Sequence, residues 1–246
     1  MTTLGTSEKV VRTYDRQIDL FDPSNPRMQV PIVLIGAGTI GSWTALLLTK
    51  LGLRNILVVD DDKVEVQNIA NQLYGENFLN VPKAMALDKC TQALSGISIN
   101  YSVNKFPAKL EDMMEIPFPC IVLVTVDSMK SRLEIFQWLT SNQFNVKLFI
   151  DARTGGEVGR VFAFEPMQPS AMDEYSKTLH SDTPTADMNE DVRRSSEVKC
   201  TARSIVDVSV TVAARITNTV RKFITNKSYP FETDIDLRND IWIVNK

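Results

Sequence analysis

The sequence predicts a doubly wound α/β fold: an open, mostly parallel sheet covered by helices, with antiparallel strands toward the C-terminal end. Three observations predict it. Short apolar runs rich in β-branched residues alternate with segments of helical spacing. Two of these runs, residues 55–60 and 120–127, end on aspartates, as parallel strands do where they meet a ligand crevice. Glycines at 36, 38 and 41 join the first run to the helix after it.

Taken in order, residues 31–35 read as a strand, 36–41 as a glycine turn and 42–52 as a helix. Residues 55–60 supply the next buried strand and close the first βαβ unit. Helical spacing returns at 83–94, alternation at 97–103, a fully apolar strand at 120–126 and a helix at 129–139. Residues 147–151 and 159–164 are expected as strands joined by a hairpin turn at Gly155 and Gly156. From 167 to 199 the chain is polar, with little periodicity, and is expected to be a mobile loop crossing over the site. An apolar helix at 204–224 and a terminal strand pair or edge element at 231–244 complete the chain. The 246 residues are expected to form one domain: an N-terminal segment (1–30), a nucleotide-binding core (31–166), the crossover loop (167–199) and a C-terminal helix with strands (200–246).

Composition narrows the function. Hydrophobic residues at 43% and charged residues at 23% describe an ordinary globular chain. A net charge of -3 supplies no field for nucleic acid, which makes that partner unlikely as a class. The apolar runs are too short to span a bilayer, so a cytoplasmic location is expected. Cys90, Cys120 and Cys200 are widely spaced and never form C-x-x-C, which argues against a disulfide framework and against zinc. Cys90 and Cys120 read as core residues. The single histidine, His180, lies in a polar stretch, which disfavours Ser-His-Asp or Cys-His hydrolysis.

Gly36, Gly38 and Gly41 suit a tight turn, close approach of backbone N–H groups to phosphate and close helix packing. Asp60, about 20 residues on, is placed to accept from a ribose hydroxyl, giving a Rossmann-like nucleotide site. By itself this pattern suggests NAD. The stretch beginning at Asp60 changes that reading: Asp60-Asp-Asp-Lys-Val-Glu-Val-Gln-Asn-Ile-Ala-Asn-Gln72, then Val81-Pro-Lys83 opening a helix. Tyr14-Asp-Arg-Gln17 and Thr125-Val-Asp-Ser-Met-Lys-Ser-Arg132 complete the set. Together these segments resemble the ThiF/MoeB/HesA family of ubiquitin-activating-type adenylyltransferases, and the resemblance covers most of the chain.

The resemblance implies that Asp60, Asp62, Asn68 and Gln72 contact ATP, that Lys83 and Arg16 contact its phosphates, and that Asp127 holds a magnesium ion. Arg16 would cross to the neighbouring subunit of a homodimer. The implied substrate is the C-terminal glycine carboxylate of a small ubiquitin-like or sulfur-carrier protein. Cys200 stands where the family carries a thioester- or persulfide-forming cysteine. Its neighbours Lys199 and Arg203 and a following helix N-terminus would lower its pKa. The chemistry fits a protein with one histidine: a carboxylate is already ionised at neutral pH, and AMP transfer needs positive charge on the phosphates and no general base. Singly, each residue also has a plain structural reading: Lys83 and Arg132 as helix charges, Asp127 as a helix N-cap, Arg16 as a surface ion pair.

Two departures from the family pattern stand out. Asn71 occupies an arginine position, removing a cation that Arg153 or Arg160 would have to replace. The two zinc-holding C-x-x-C pairs of many members are absent. Three rivals therefore stay open: a member acting on a peptide, small molecule or tRNA base, a nucleotide- or partner-binding scaffold with weak or no catalysis, and an NAD-dependent oxidoreductase.

Overall fold

A computed structural model describes residues 13–107, 118–179 and 204–245. Its strands are β1 (Ile32–Ile35), β2 (Ile56–Val59), β3 (Asn100–Ser102), β4 (Cys120–Val124), β5 (Val146–Gly155), β6 (Val158–Phe164), β7 (Glu232–Asp236) and β8 (Ile241–Asn245). Its helices are α1 (Thr39–Lys50), α2 (Lys83–Ser95), α3 (Met129–Asn142), α4 (Pro169–Ser176) and α5 (Val206–Ile224). The strands form one sheet in the order β3-β2-β1-β4-β5-β6-β7-β8. The first five in that order pair parallel, and β5 through β8 pair antiparallel.

Local chemistry explains these elements. β1, β2 and β4 are buried along their whole length, which is why they read as unbroken apolar runs instead of alternating ones. The β5–β6 hairpin turns at Gly156, whose φ of 61° suits a residue without a Cβ. α2 ends at Gly96 in the left-handed region, a common helix stop. α5 carries Val208, Val212, Ile216 and Val220 on one buried face and lies with α1 and α2 on one side of the sheet. α3 and α4 cover the other side, where Ile135, Leu139 and Tyr175 pack with Phe149 and Phe162.

The chain departs from expectation within 167–199. Residues 169–176 form α4, with Pro169 at the start of the helix, where its missing N–H costs nothing. Ala171 and Tyr175, one turn apart, are buried, and Tyr175 packs edge-on against Phe149 and Phe162. The first part of the expected mobile loop is therefore a packed helix, and residues 180–199 lie outside the described residues. At the opposite edge, β8 exposes Ile241, Trp242, Ile243 and Val244, each about half accessible. No helix among the described residues is long and apolar enough to cross a membrane.

The crevice follows from topology. β1 leads through α1 to β2 on one side, while its other neighbour, β4, comes much later in the chain. The helices that follow β1 and β4 lie on opposite sides of the sheet, and the loops at 36–38 and 125–128 meet at their C-terminal ends, where a fold of this topology places a ligand.

Candidate functional site

The glycine turn is held from several sides. Gly36 has φ 97°, and a Cβ there would lie 2.9 Å from the Thr125 backbone. Thr125 Oγ1 donates toward the Gly36 carbonyl (2.8 Å) and the Ile35 carbonyl (3.2 Å), clamping the two loops of the crevice together. A Cβ on Gly41 would fall 2.0 Å from the Gly36 oxygen, so this glycine lets α1 close onto the turn. The Tyr74 hydroxyl donates to the Ala37 carbonyl at 2.6 Å, fixing the other side.

Gly38 differs from these two. It is the N-cap of α1 at φ -80°, no side chain caps the helix, and a Cβ there would meet nothing within 4 Å. Open space in front of an uncapped helix N-terminus is where a phosphate fits. Gly38→Ala puts its methyl group in open space and is expected to cost about 1 kcal/mol of stability or less, the usual range for losing an N-cap glycine, yet to weaken ATP binding by about tenfold (~1.4 kcal/mol). Isothermal titration would check this; unchanged affinity would move the phosphates away from Gly38.

Asp60 ends β2 beneath this turn. One carboxylate oxygen accepts from the Ala37 N–H at 2.6 Å and the other from the Asp62 N–H at 2.9 Å. Burial pushes its pKa up, opposed by the Ala37 hydrogen bond and by Lys83. The sign has two consequences. Because the folded pKa lies above the unfolded one, ionised Asp60 costs stability near neutrality, and this cost is relieved as pH falls through the raised value. Protonation also removes the acceptor a ribose needs. Adenosine, which carries no titrating phosphate, is expected to bind more weakly as pH falls through a window above the ordinary aspartate value, while Asp60→Asn flattens that slope. A wild-type affinity that stays level across the window would remove Asp60 from the ribose site.

Lys83 opens α2, and its Nζ lies 2.7 Å from Asp62 Oδ2. The Lys83 side chain is nearly buried while that of Asp62 is mostly exposed, so the pair holds the ammonium at the edge of the fold with its carboxylate in water. Asn68 sits in a short 3-10 turn (Val66–Asn68), where its Oδ1 accepts from the Glu65 N–H at 2.9 Å. Gln72 is buried with its Oε1 unpartnered among the described residues, and Asn71 likewise has a buried Oδ1 without a partner among them. The Trp43 indole donates to the Asn71 carbonyl and the Leu73 N–H to Ser42 Oγ, which ties this stretch to the start of α1.

Asp127 follows β4 across the crevice. It is exposed and its carboxylate has no partner among the described residues, which leaves both oxygens free for a hard cation. No three His, Cys, Asp or Glu side chains converge among the described residues. A lone carboxylate is a donor of the kind magnesium accepts beside phosphate oxygens and water, so Asp127 is the residue among those described that would hold such an ion.

Other expected residues lie elsewhere. Tyr14 packs against Gly52 just beyond the far end of α1, so Arg16 is exposed there with no partner among the described residues. The 12 residues of α1, about 18 Å of helix, separate that end from Gly38. Arg153 does not replace the cation missing at Asn71: it pairs with Asp151 (2.7 Å) and donates to the Thr178 carbonyl and hydroxyl. Arg160 is likewise committed to Asp234 and Glu232. Arg132, whose function the sequence left open, is buried in an ion pair with Asp151. Cys90 and Cys120 are core thiols, pushed by burial to about 11 and about 12. Cys200 and its neighbours Lys199 and Arg203 lie outside the described residues. Sequence reasoning gave no role to Thr125 and Tyr74, although the position of Thr125 two residues before Asp127 was a usable signal.

The chain matches the ThiF family over residues 14–244. The chain belongs to the ThiF family. A sulfur carrier protein ThiS adenylyltransferase of Bacillus subtilis (strain 168) is 30% identical over 130 residues, which is 49% of this chain and 38% of that protein. A sulfur carrier protein adenylyltransferase of Thermus thermophilus is 33% identical over 96 residues, 38% of this chain and 34% of that one. The matched stretches thus span little more than a third of these relatives. Among solved structures, E. coli MccB with AMPCPP and MccA superposes with a TM-score of 0.70 at 17% identity, over 95% of this chain and 71% of MccB. PaaA gives 0.72 at 17% identity over 100% and 76%. At such identities the superpositions speak for the fold, a parallel core with antiparallel C-terminal strands.

Proposed function

We propose that this ThiF-family chain is a cytoplasmic adenylyltransferase that uses MgATP to activate the C-terminal glycine carboxylate of a small ubiquitin-like or sulfur-carrier protein. The observation that carries this reading is the open space at Gly38 after β1, with Lys83 paired to Asp62 in the segment after β2 and Asp127 exposed after β4, the two strands that flank β1. An NAD-dependent dehydrogenase has no use for either residue. Both similar proteins from Bacillus and Thermus are named for adenylation of a sulfur carrier, which agrees with this substrate class.

In the proposed reaction a carboxylate oxygen of the partner attacks the α-phosphorus of ATP. The bond from that phosphorus to the bridging oxygen of the β-phosphate breaks, pyrophosphate leaves, and an acyl adenylate remains. No proton moves, so no general base is required. Asp60 orients the ribose, Asn68 and Gln72 line the nucleotide, and the α1 N-terminus and Lys83 meet the phosphates with fixed positive charge. A magnesium ion held by Asp127 would neutralise charge on the departing pyrophosphate. Arg16, stranded far from its own glycine turn, is the group a second copy would contribute, which makes a homodimer the expected assembly. Thioester formation on Cys200 after adenylation is a further expectation of this reading.

Exchange of labelled pyrophosphate into ATP, in the presence of small proteins ending in Gly-Gly, tests the proposal. Exchange that requires Lys83 and Asp127 and survives Cys200→Ala supports it. A second reading has its own support: Asn71 replaces a cation and neither Arg153 nor Arg160 supplies one, which favours a nucleotide-binding scaffold with weak or no catalysis. ATP binding without exchange for any carrier would select that reading.

A further inference from the structure

We propose that Arg132 is a positioning residue for Asp127: its buried guanidinium fixes the peptide that carries Asp127 and thereby sets the affinity for the magnesium ion. This rests on the adenylation reading and adds a residue that does not touch the nucleotide.

Three bonds define the arrangement. From the first turn of α3, Arg132 Nη2 donates to the Val126 carbonyl at 2.5 Å and to the Ala152 carbonyl at 3.0 Å. Its Nη1 meets Asp151 Oδ1 at 3.1 Å. The Val126 carbonyl and the Asp127 N–H belong to one planar peptide, so holding that oxygen fixes the direction in which the Asp127 Cα leaves the loop. Ser128 helps from the other side, its side chain capping α3 through the Ser131 N–H. The residue between these two tethers is Asp127, whose own side chain has no partner among the described residues.

The cluster is built for rigidity. Asp151 is fully buried at the point where β5 pairs with the end of β4, with Val124 as its partner in register. Its second oxygen is taken by Arg153, which stacks over Phe162 and reaches Thr178 beyond α4. A planar guanidinium anchored on a buried carboxylate loses little freedom per bond, and a lysine ammonium cannot reach three acceptors in the same fork. Groups that orient a metal ligand commonly govern metal affinity by about 10- to 100-fold.

The test compares wild type, Arg132→Lys and Arg153→Lys by isothermal titration of ATP, first with chelator present and then across a magnesium series below each variant's melting temperature. Arg153→Lys disturbs the same buried carboxylate without touching Val126, so it reports what loosened packing does alone. The expected result for Arg132→Lys is a magnesium half-saturation raised roughly tenfold, with magnesium-free ATP affinity within about twofold of wild type. Arg153→Lys is expected to keep the wild-type magnesium dependence. If Arg132→Lys does not yield folded protein, Arg132→Gln, which retains one amide donor for Val126, is expected to give an intermediate rise. Equal magnesium dependence in wild type and the folded Arg132 variant, or an equal rise in Arg153→Lys, overturns the positioning role alone. A wild type that binds no ATP under either condition overturns the adenylation reading and this inference with it.

Discussion

Lys83→Met lowers ATP–pyrophosphate exchange by about two to three orders of magnitude while the fold stays in place. The expectation rests on the group the substitution removes. Methionine keeps the buried aliphatic stem that packs at the start of α2, so the change is confined to the ammonium. Its partner Asp62 is mostly exposed, and a pair with one end in water contributes at most about 1 kcal/mol to stability. A fixed charge facing a developing phosphate charge is worth more, because removing one preorganised donor typically costs ~3–4 kcal/mol in the transition state. Exchange assays paired with thermal melts separate the two effects. Exchange that survives at a tenth of wild type or more would take Lys83 out of the chemistry.

Gly41→Ala is expected to destabilise the protein by about 3 kcal/mol or more and to lose nucleotide binding with it. The added Cβ would fall 2.0 Å from the Gly36 carbonyl oxygen and 2.6 Å from Thr125 Oγ1. A backbone oxygen in a turn that also accepts from Thr125 has no room to move aside, and overpacking of this kind costs roughly 1–3 kcal/mol where neighbours can relax. For a chain of this length a 3 kcal/mol loss lowers the melting temperature by roughly 6–12 °C. Gly38→Ala, three residues earlier, adds the same methyl group to open space. A thermal melt of the two variants side by side therefore distinguishes a glycine needed for packing from a glycine needed for the ligand. If the Gly41 variant melted with wild type, α1 would not close on the turn as described.

The motif already offered these two glycines different roles, approach to phosphate and helix packing, and the structure adds the distances that separate them. Other parts of the site were legible. The aspartates after residues 56–59 and 120–126 and the glycines after 32–35 fall at strand ends because a buried parallel strand must be apolar until it reaches the crevice. The place of Lys83 at the start of a helix was legible, and the role expected of it there rested on the family resemblance. Helix α4 was missed because only Ala171 and Tyr175 are buried on it, too few apolar positions to stand out in a polar stretch.

By itself, then, the sequence determined the parallel core strands, the helices between them and the glycine turn, since each of these follows from local periodicity and from spacing within a few residues, while the roles expected of single residues rested on the family resemblance. Only the tertiary structure decided how charge is distributed around that crevice. Arg132 read as a helix charge and Arg153 and Arg160 as cations that could replace the missing one, yet the first two converge on one buried carboxylate, Arg132 from α3 and Arg153 from the same strand, and the third faces acids on β7. Asp127 stays free while Asp151 is neutralised. The physical reason is that Arg132 on α3 reaches Asp151 on β5 only through the packing of the helix on the sheet, and a burial that costs both partners their water is tolerated only where such packing brings them together.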